Sequence, residues 1–395
     1  MTVRRPSMVV LAPIAPARTG NGLAMRVHAL VSAAGVDHDV HLVVIPVSGN
    51  LPVHSYDIDG LVRVDELPVT EPGDRSVVVE LLGDPMWRAR IGALQPLPAA
   101  VALAPPNLAA RVGELLDGRV AGVLACRLAL APLGVAVAER TGAPLMIDAD
   151  DADVDYFEEI GEIDAAAAWD RVARLCLPMA SIVSAASSVG AAALGRRYGI
   201  GDRTVAVPNS VTLPSRIGPS EDMVDGRLLF VGNMTYGPNR EGATWLSQKV
   251  LPRLGAGYTL ELVGAAPASI GELSGPSVHV TGWVADTDIH YRRARVVAVP
   301  IHSGSGTRIK VLEAFARHRP VVSTAKGLEG IDARDGEHLL VADTPTTFAR
   351  AIAYLMEPDA ADALVKAAAQ LVAERYGRNA VTASTATLLS RLTAP

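Results

Sequence analysis

Cysteine is almost absent: Cys126 and Cys176 are the only two in 395 residues. A pair cannot supply a framework of disulfides or a four-sulfur metal site, and each lies in an apolar stretch where a buried, reduced thiol is the ordinary outcome. A cytoplasmic protein is expected. Neither sign of charge dominates, with 36 Lys and Arg against 42 Asp and Glu and a net charge of −6. Such a balance gives no global attraction to nucleic acid or to anionic lipid. No apolar run approaches the roughly 18 residues a membrane-spanning helix requires, so no integral membrane segment is expected. Aromatic residues make up only 4%, and no basic amphipathic helix is present to favour a membrane surface. Arg4-Arg5 followed by Met8 to Ala17 superficially resembles a twin-arginine leader, but Pro13 and Pro16 interrupt its apolar core. His28, His279, His290, His302, His318 and His338 lack any paired metal-ligand spacing. No Walker A loop and no serine-hydrolase elbow with supporting partners occur.

What is present is a globular composition. Hydrophobic residues reach 49% and charged residues 20%, and a chain of this length favours two domains. Short apolar runs alternate with Ala- and Leu-rich helical stretches. Strands are predicted at Met8–Ile14, His41–Val47, Ser76–Leu81, Val120–Cys126, Pro144–Asp148, Ile182–Ser184 and Thr204–Val207. Helices are predicted at Met25–Ala34, Pro98–Leu116, Pro132–Arg140, Asp164–Met179 and Ser188–Tyr198. Alternation of this kind argues for a parallel sheet covered by helices. Residues 211–226 lose the periodicity and gain Pro, Ser, Gly and acidic residues, as a linker does. A second series follows, with strands at Arg227–Gly232, Tyr258–Gly264, Val278–Thr281, Arg295–Pro300 and Pro320–Ser323. Its helices are predicted at Gly242–Val250, Lys310–Arg317, Pro345–Leu355 and Asp359–Tyr376. The expected architecture is therefore two doubly wound α/β domains facing a cleft, 1–210 and 227–377, with a last helix at 378–395.

Two loops attract attention as anion sites. In the first domain, Gly20, Asn21 and Gly22 lie between the first strand and first helix, where open parallel sheets bind ligands. A nicotinamide dinucleotide fits poorly, because Met25 stands at the third glycine position and no acidic residue ends the second strand. Arg26, on the first helical turn, can pair with phosphate; a plain turn with a surface arginine is the alternative. In the second domain, Pro300 to Ala316 runs from a buried strand through a Gly/Ser loop into a helix. Backbone N–H groups near Gly306, with Arg308 and Lys310 beside them, suit a diphosphate. Glu313 follows Lys310 at helical i, i+3 spacing, either as a salt bridge or as an acceptor for ribose hydroxyls. Asp148, Asp150 and Asp151 cluster at a strand end as solvated or helix-capping carboxylates, acceptor-binding groups or, less in keeping with the rest, metal ligands. Arg127 closes the neighbouring strand.

Five segments in fixed order, VPNSV (207–211), VGNMTYGPNREG (231–242), VTGWVAD (280–286), VPIHSGSGTRIKVLEAFA (299–316) and PVVSTAKGLEGI (320–331), resemble the retaining glycosyltransferases of GT-B fold, family four. ARTGNGLAMR (17–26) and DADD (148–151) match more loosely. The resemblance implies a sugar-nucleotide donor in the second domain. Gly232 and Asn233 would line its site, Trp283 and Val284 would flank the base, and Thr307, Arg308 and Lys310 would take the phosphates. Glu313 matches the later of the family's two motif glutamates and would meet the ribose; Ser305 stands where the earlier one falls, in a branch bearing GSGTRIK. Arg127 stands where many relatives carry histidine. Arg308 and Lys310 are the expected catalytic groups, with no metal or cofactor beyond the sugar nucleotide itself. A small-molecule or glycan acceptor carrying a hydroxyl or amine is expected on Gly20, Asn21, Gly22, Arg26, Arg127, Asp148, Asp150 and Asp151 of the first domain. A sugar-nucleotide epimerase and an inactive nucleotide-binding subunit are the competing readings.

Overall fold

Short, near-continuous apolar runs, buried on both faces, decide how the first sheet is built. The computed structural model describes residues 5–18, 22–47, 57–67, 108–116, 118–150, 153–214, 223–304, 306–357 and 359–394. They form two units, Met1–Asn209 with Val381–Pro395, and Ser210–Ala380.

The first unit holds a seven-stranded sheet, β1 (Ser7–Ala12), β2 (Asp39–Val44), β3 (Leu61–Glu66), β4 (Val120–Cys126), β5 (Leu145–Asp150), β6 (Ile182–Ala185) and β7 (Thr204–Ala206). All of its pairings are parallel, in the order β3-β2-β1-β4-β5-β6-β7. Successive side chains point to opposite faces. Val9, Leu11, Val43, Val123, Ala125, Leu145 and Ile147 accordingly pack on one face, with the helices Ala131–Thr141, Ile163–Cys176 and Ser188–Tyr198. Met8, Val10, Ala12, Leu42, Val44, Leu124 and Met146 pack on the other. There the helix Gly22–Asp37 contributes Ala24, Val27, Leu30, Val31 and Ala34 at helical spacing. The helix Arg378–Leu392 adds Ala386, Leu389 and Leu392 to that same face, and His38 Nε2 meets Thr393 Oγ1 at 2.8 Å.

The second unit holds a six-stranded sheet, β8 (Arg227–Val231), β9 (Thr259–Val263), β10 (Val278–Gly282), β11 (Val296–Val299), β12 (Val321–Ser323) and β13 (Leu340–Val341), ordered β10-β9-β8-β11-β12-β13. Its pairings are also parallel. Phe230, Tyr291, Phe315 and Phe348 are fully buried in its core.

Several expectations shift. The strand predicted at 76–81 and residues 98–107 of the predicted helix lie outside the described residues. β3 was not among the predicted strands. It is an edge strand of partly exposed residues, LVRVDE, whose charges suit an unpaired margin. Val211 is no linker residue: it is 2% exposed in the second unit's core and forms a parallel bridge to Gly377. Residues 215–222 of the predicted linker lie outside the described residues. Both cysteines are free and buried, and burial pushes the Cys176 thiol up to about 11.

Candidate functional site

The carboxyl ends of β8, β9, β10 and β11 bring the second unit's candidate residues to one edge of its sheet. That is where ligands bind in open parallel α/β sheets. After β8 the chain passes through Gly232 and Asn233, and after β9 through Gly264. These turns are pressed together. A Cβ on Gly264 would collide with the carbonyl of Gly232, at 2.7 Å from its carbon, and the φ of +133° already excludes ordinary side chains. A Cβ on Gly232 would in turn lie 2.8 Å from Lys310 Nζ.

Lys310 opens the helix Ile309–Ala316 that follows the Gly/Ser loop. Its ammonium donates to Asn239 Oδ1 at 2.6 Å and lies 4.4 Å from the centroid of Phe230. Asn239 Nδ2 donates to the carbonyl of Asn233 at 2.9 Å, which ties the β8 turn to the lysine. The Asn233 side chain is folded onto its own turn, accepting from Thr235 N at 3.0 Å and Thr235 Oγ1 at 2.7 Å. Burial and the neighbouring Arg308 guanidinium lower Lys310 to about 7, against a counteracting pull from Glu313. The group is therefore poised near neutrality, and an arriving anion would favour its charged form.

Arg308 is 8% exposed. Its Nη2 donates to the Gly304 carbonyl at 2.7 Å and its Nη1 to the Gly306 carbonyl. In this arrangement the guanidinium shapes the loop from within. Thr307 Oγ1 is buried and has no hydrogen-bond partner, an unsatisfied polar group in the middle of the loop. Ser305 lies outside the described residues. One turn beyond the lysine, Glu313 Oε2 accepts from the Tyr291 hydroxyl at 2.8 Å. Burial raises Glu313, although Arg317, the tyrosine and Lys310 all pull the other way. No Lys310–Glu313 ion pair is formed, so the i, i+3 spacing does not make a simple salt bridge. Trp283 is 74% exposed, which removes core packing as its role, and Val284 is half-buried against the core. Sequence reading missed Asn239 and Tyr291. Asn239 stands inside VGNMTYGPNREG, but nothing in one dimension shows that it meets a lysine 71 positions away.

In the first unit, Gly20, Asn21 and Asp151 lie outside the described residues, and Gly22 opens the helix Gly22–Asp37. The expectation that Arg26 pairs with a ligand phosphate is corrected. Arg26 is 4% exposed and is spent on the protein itself. It grips Asp148 bidentately at 2.6 and 2.8 Å, and donates to the Val207 carbonyl at 2.9 Å and Asn209 Oδ1 at 3.1 Å. Asp148 also accepts from Ser184 Oγ at 2.6 Å. Asp148 is neither solvated nor helix-capping, and its buried carboxylate is not open to an acceptor; a guanidinium in low dielectric needs counter-charge, and Asp148 supplies it together with Asp150. Asp150 stands 3.0 Å from Arg26 Nε and 3.0 Å from Arg127 Nη1. Arg127 and Asp150 both hold positive φ, 72° and 51°. Non-glycine residues rarely accept this, and such strain gathers at functional sites. The network thus locks the ends of β4, β5 and β6 together and leaves Arg127, with 20% of its side chain exposed, at the surface. Nearby, a cavity of about 370 Å3 is walled by Leu128, Ala149, Val154, Leu177, Leu194 and Tyr198.

Comparison with known proteins places this geometry. Residues 225–358 match the model of the family described as glycosyl transferases group 1. An uncharacterized 44.6 kDa protein in the cps region of Klebsiella pneumoniae is 28% identical over 144 residues, which cover 33% of this chain and 37% of that protein. Among solved structures, HepE of Anabaena in complex with UDP and glucose superposes with a TM-score of 0.66 at 14% identity, covering 98% of this chain and 100% of that one. Sucrose-phosphate synthase of Thermosynechococcus elongatus does so with a TM-score of 0.70 at 17% identity, over 98% and 99% of the two chains. The lipopolysaccharide outer core galactosyltransferase WaaB gives 0.64 at 11% identity, over 97% and 99%. The two parallel-sheet units are those of the GT-B fold, and residues 225–358 carry the sequence pattern of the glycosyl transferases group 1.

Proposed function

We propose that this protein is a retaining glycosyltransferase that moves a sugar from a nucleotide diphosphate donor to a hydroxyl- or amine-bearing acceptor without a metal ion. The observation that carries this reading is the β11–loop–helix turn. There the Lys310 ammonium, the buried and unpartnered Thr307 hydroxyl and the first N–H groups of the helix Ile309–Ala316 stand together. Negative charge grows on the diphosphate as the donor's glycosidic bond breaks. A lysine and a helix N-terminus stabilise that charge more in the transition state than in the ground state. This is the work a divalent cation does in other transferases. Glu313, held by Tyr291, is placed to accept hydrogen bonds from ribose hydroxyls, and exposed Trp283 offers a face for the base.

UDP stands in the HepE structures, which supports a uridine-type donor. The first unit would take the acceptor. Its cavity, walled by Leu128, Ala149, Val154 and Leu194 and also by Asp155, Arg196 and Arg197, favours an acceptor that combines an apolar portion with polar groups. Among the described residues no side chain is placed as a covalent nucleophile. Retention would then arise by front-face attack, the departing phosphate oxygen taking the acceptor's proton.

The test is transfer from UDP-sugars to a panel of glycan and aryl-alcohol acceptors, with EDTA present and the product's anomeric configuration read by NMR. Lys310→Ala should lower turnover about 10²-fold or more, the scale of losing one transition-state donor. Inverted product, dependence on added metal, or full activity in a folded Lys310→Ala protein would each overturn the corresponding part of the reading. Interconversion of donor sugars in the absence of acceptor would replace it with an epimerase.

A further inference from the structure

At the amino ends of the second sheet's strands a buried arginine, Arg319, and a partly buried one, Arg295, stand side by side with no carboxylate against them among the described residues. Arg295 immediately precedes β11, and Arg319 precedes β12 by one residue. Because β11 and β12 are parallel neighbours, both guanidinium-bearing residues stand at amino ends. A strand of this length separates them by roughly 13 Å from the loop at the carboxyl ends. Arg319 is 5% exposed. Neither residue forms an ion pair among the described residues, and the Nε atoms of both are buried with no hydrogen-bond partner. Arg295 Nη2 donates to the Met356 carbonyl at 3.1 Å, at the end of the helix Pro345–Met356. Otherwise both guanidinium groups face one thioether: Met223 Sδ lies 3.0 Å from Arg319 Nη1 and 3.9 Å from Arg295 Nη1.

This arrangement is costly as it stands. Thioether sulfur is a weak acceptor, and removing a cation from water without a counter-charge costs several kcal/mol. Burial and the proximity of Arg295 lower Arg319 below the usual guanidinium range, and His318 beside it is lowered too, by burial and by Arg319. The chemistry that settles two adjacent guanidinium forks is a pair of oxygens with negative charge, since planar N–H pairs match oxyanions bidentately. Met223 is a suitable plug for such a site. It is flexible, uncharged and only partly buried, so it can withdraw as an anion takes its place.

We propose that Arg295 and Arg319 form a binding site for a small oxyanion of the phosphate class, closed by Met223 and separate from the donor loop. Occupation would exchange a sulfur contact for charge-assisted hydrogen bonds and stabilise the second unit by mass action. The site also joins the segment that leads into β8 to the base of β11 and β12, so its occupancy reports on how firmly that segment is held.

Thermal unfolding of the full chain in increasing inorganic phosphate, against sodium chloride at matched ionic strength, tests this. Wild type should gain about 2–5 °C with phosphate beyond the chloride control. Arg319→Met should lose that increment and, in chloride, be no less stable than wild type, because an uncompensated buried charge is gone. Met223→Ala should reach half-saturation at lower phosphate. Lys310→Ala should keep the full increment, which separates this site from the donor loop and keeps the outcome independent of the proposed activity. Should Arg319→Met fail to fold, Arg319→Lys serves: it keeps the charge, loses the fork and should need at least tenfold more phosphate. An absent phosphate-specific increment in wild type, or an unchanged increment in the arginine variants, overturns the proposal.

Discussion

With Lys310 against the donor diphosphate, as proposed, its titration would make donor binding a proton-uptake reaction. In the free protein its ammonium is lowered to about 7, while a bound diphosphate, carrying two negative charges, should restore it towards the ordinary lysine value of about 10.4. The sign follows directly. Binding favours the protonated form, so affinity is full below about pH 7 and is lost as pH rises above it. At pH 8 the free lysine would be only about one-tenth protonated, and forming the complex would take up about 0.9 of a proton; at pH 6 the uptake falls to about 0.1. From pH 7 to pH 9 the apparent affinity should drop about 50-fold, or about 2.3 kcal/mol at 1.36 kcal/mol per pKa unit. UDP-glucose is the appropriate probe, because its diphosphate is esterified at both ends and does not titrate in this range. Isothermal calorimetry in buffers of different ionisation enthalpy reads the proton count as the slope of apparent heat against buffer heat. Lys310→Arg should bind with a slope near zero, since guanidinium stays charged throughout. A slope near zero in the wild-type protein at pH 8, or an undiminished one in Lys310→Arg, would refute the placement of this lysine against the diphosphate.

Two further outcomes follow from the packing. Gly264→Ala should cost about 2–4 kcal/mol in urea unfolding of the second unit, because the new methyl meets backbone at Gly232 that has no room to yield and the φ is wrong for alanine; a midpoint unchanged from wild type would show that the β8 and β9 turns are looser than described. Arg26→Leu should destabilise the first unit by about 3–5 kcal/mol, leaving Asp148 and Asp150 without their shared cation. If that variant instead unfolds like wild type while losing only acceptor turnover, Arg26 acts on ligand and not on the carboxylates.

Much of the molecule is legible in the sequence alone. The helix Ser188–Tyr198 was read to the residue, since Ser187 caps its first turn and Gly199 ends it in the left-handed region. Strands β1, β4, β5, β8, β9 and β11 were visible as short Val- and Leu-rich runs, because a parallel strand buried on both faces has no polar positions to confuse it. β3 escaped because an edge strand carries Arg63, Asp65 and Glu66, and β13 because two residues make no pattern. Val211 was read as linker from its neighbours' composition, whereas a single bridge to Gly377 places it in a core. Composition averages over residues, and one valine is not an average.

Local chemistry, then, was written in the sequence: which loop carries Gly306, Thr307, Arg308 and Lys310, and that a helix begins there. These are nearest-neighbour properties of the chain, set by turn glycines, helix spacing and fixed charge. Pairing across distance was decided only by the fold. Arg26 looked like a phosphate ligand until folding set Asp148, 122 residues later, within 2.6 Å of it; Arg308 turned inward to Gly304 and Gly306; Arg295 and Arg319 became neighbours with no acid between them among the described residues. A charged side chain's role depends on which counter-charge shares its low-dielectric surroundings, and that is a property of tertiary contact alone.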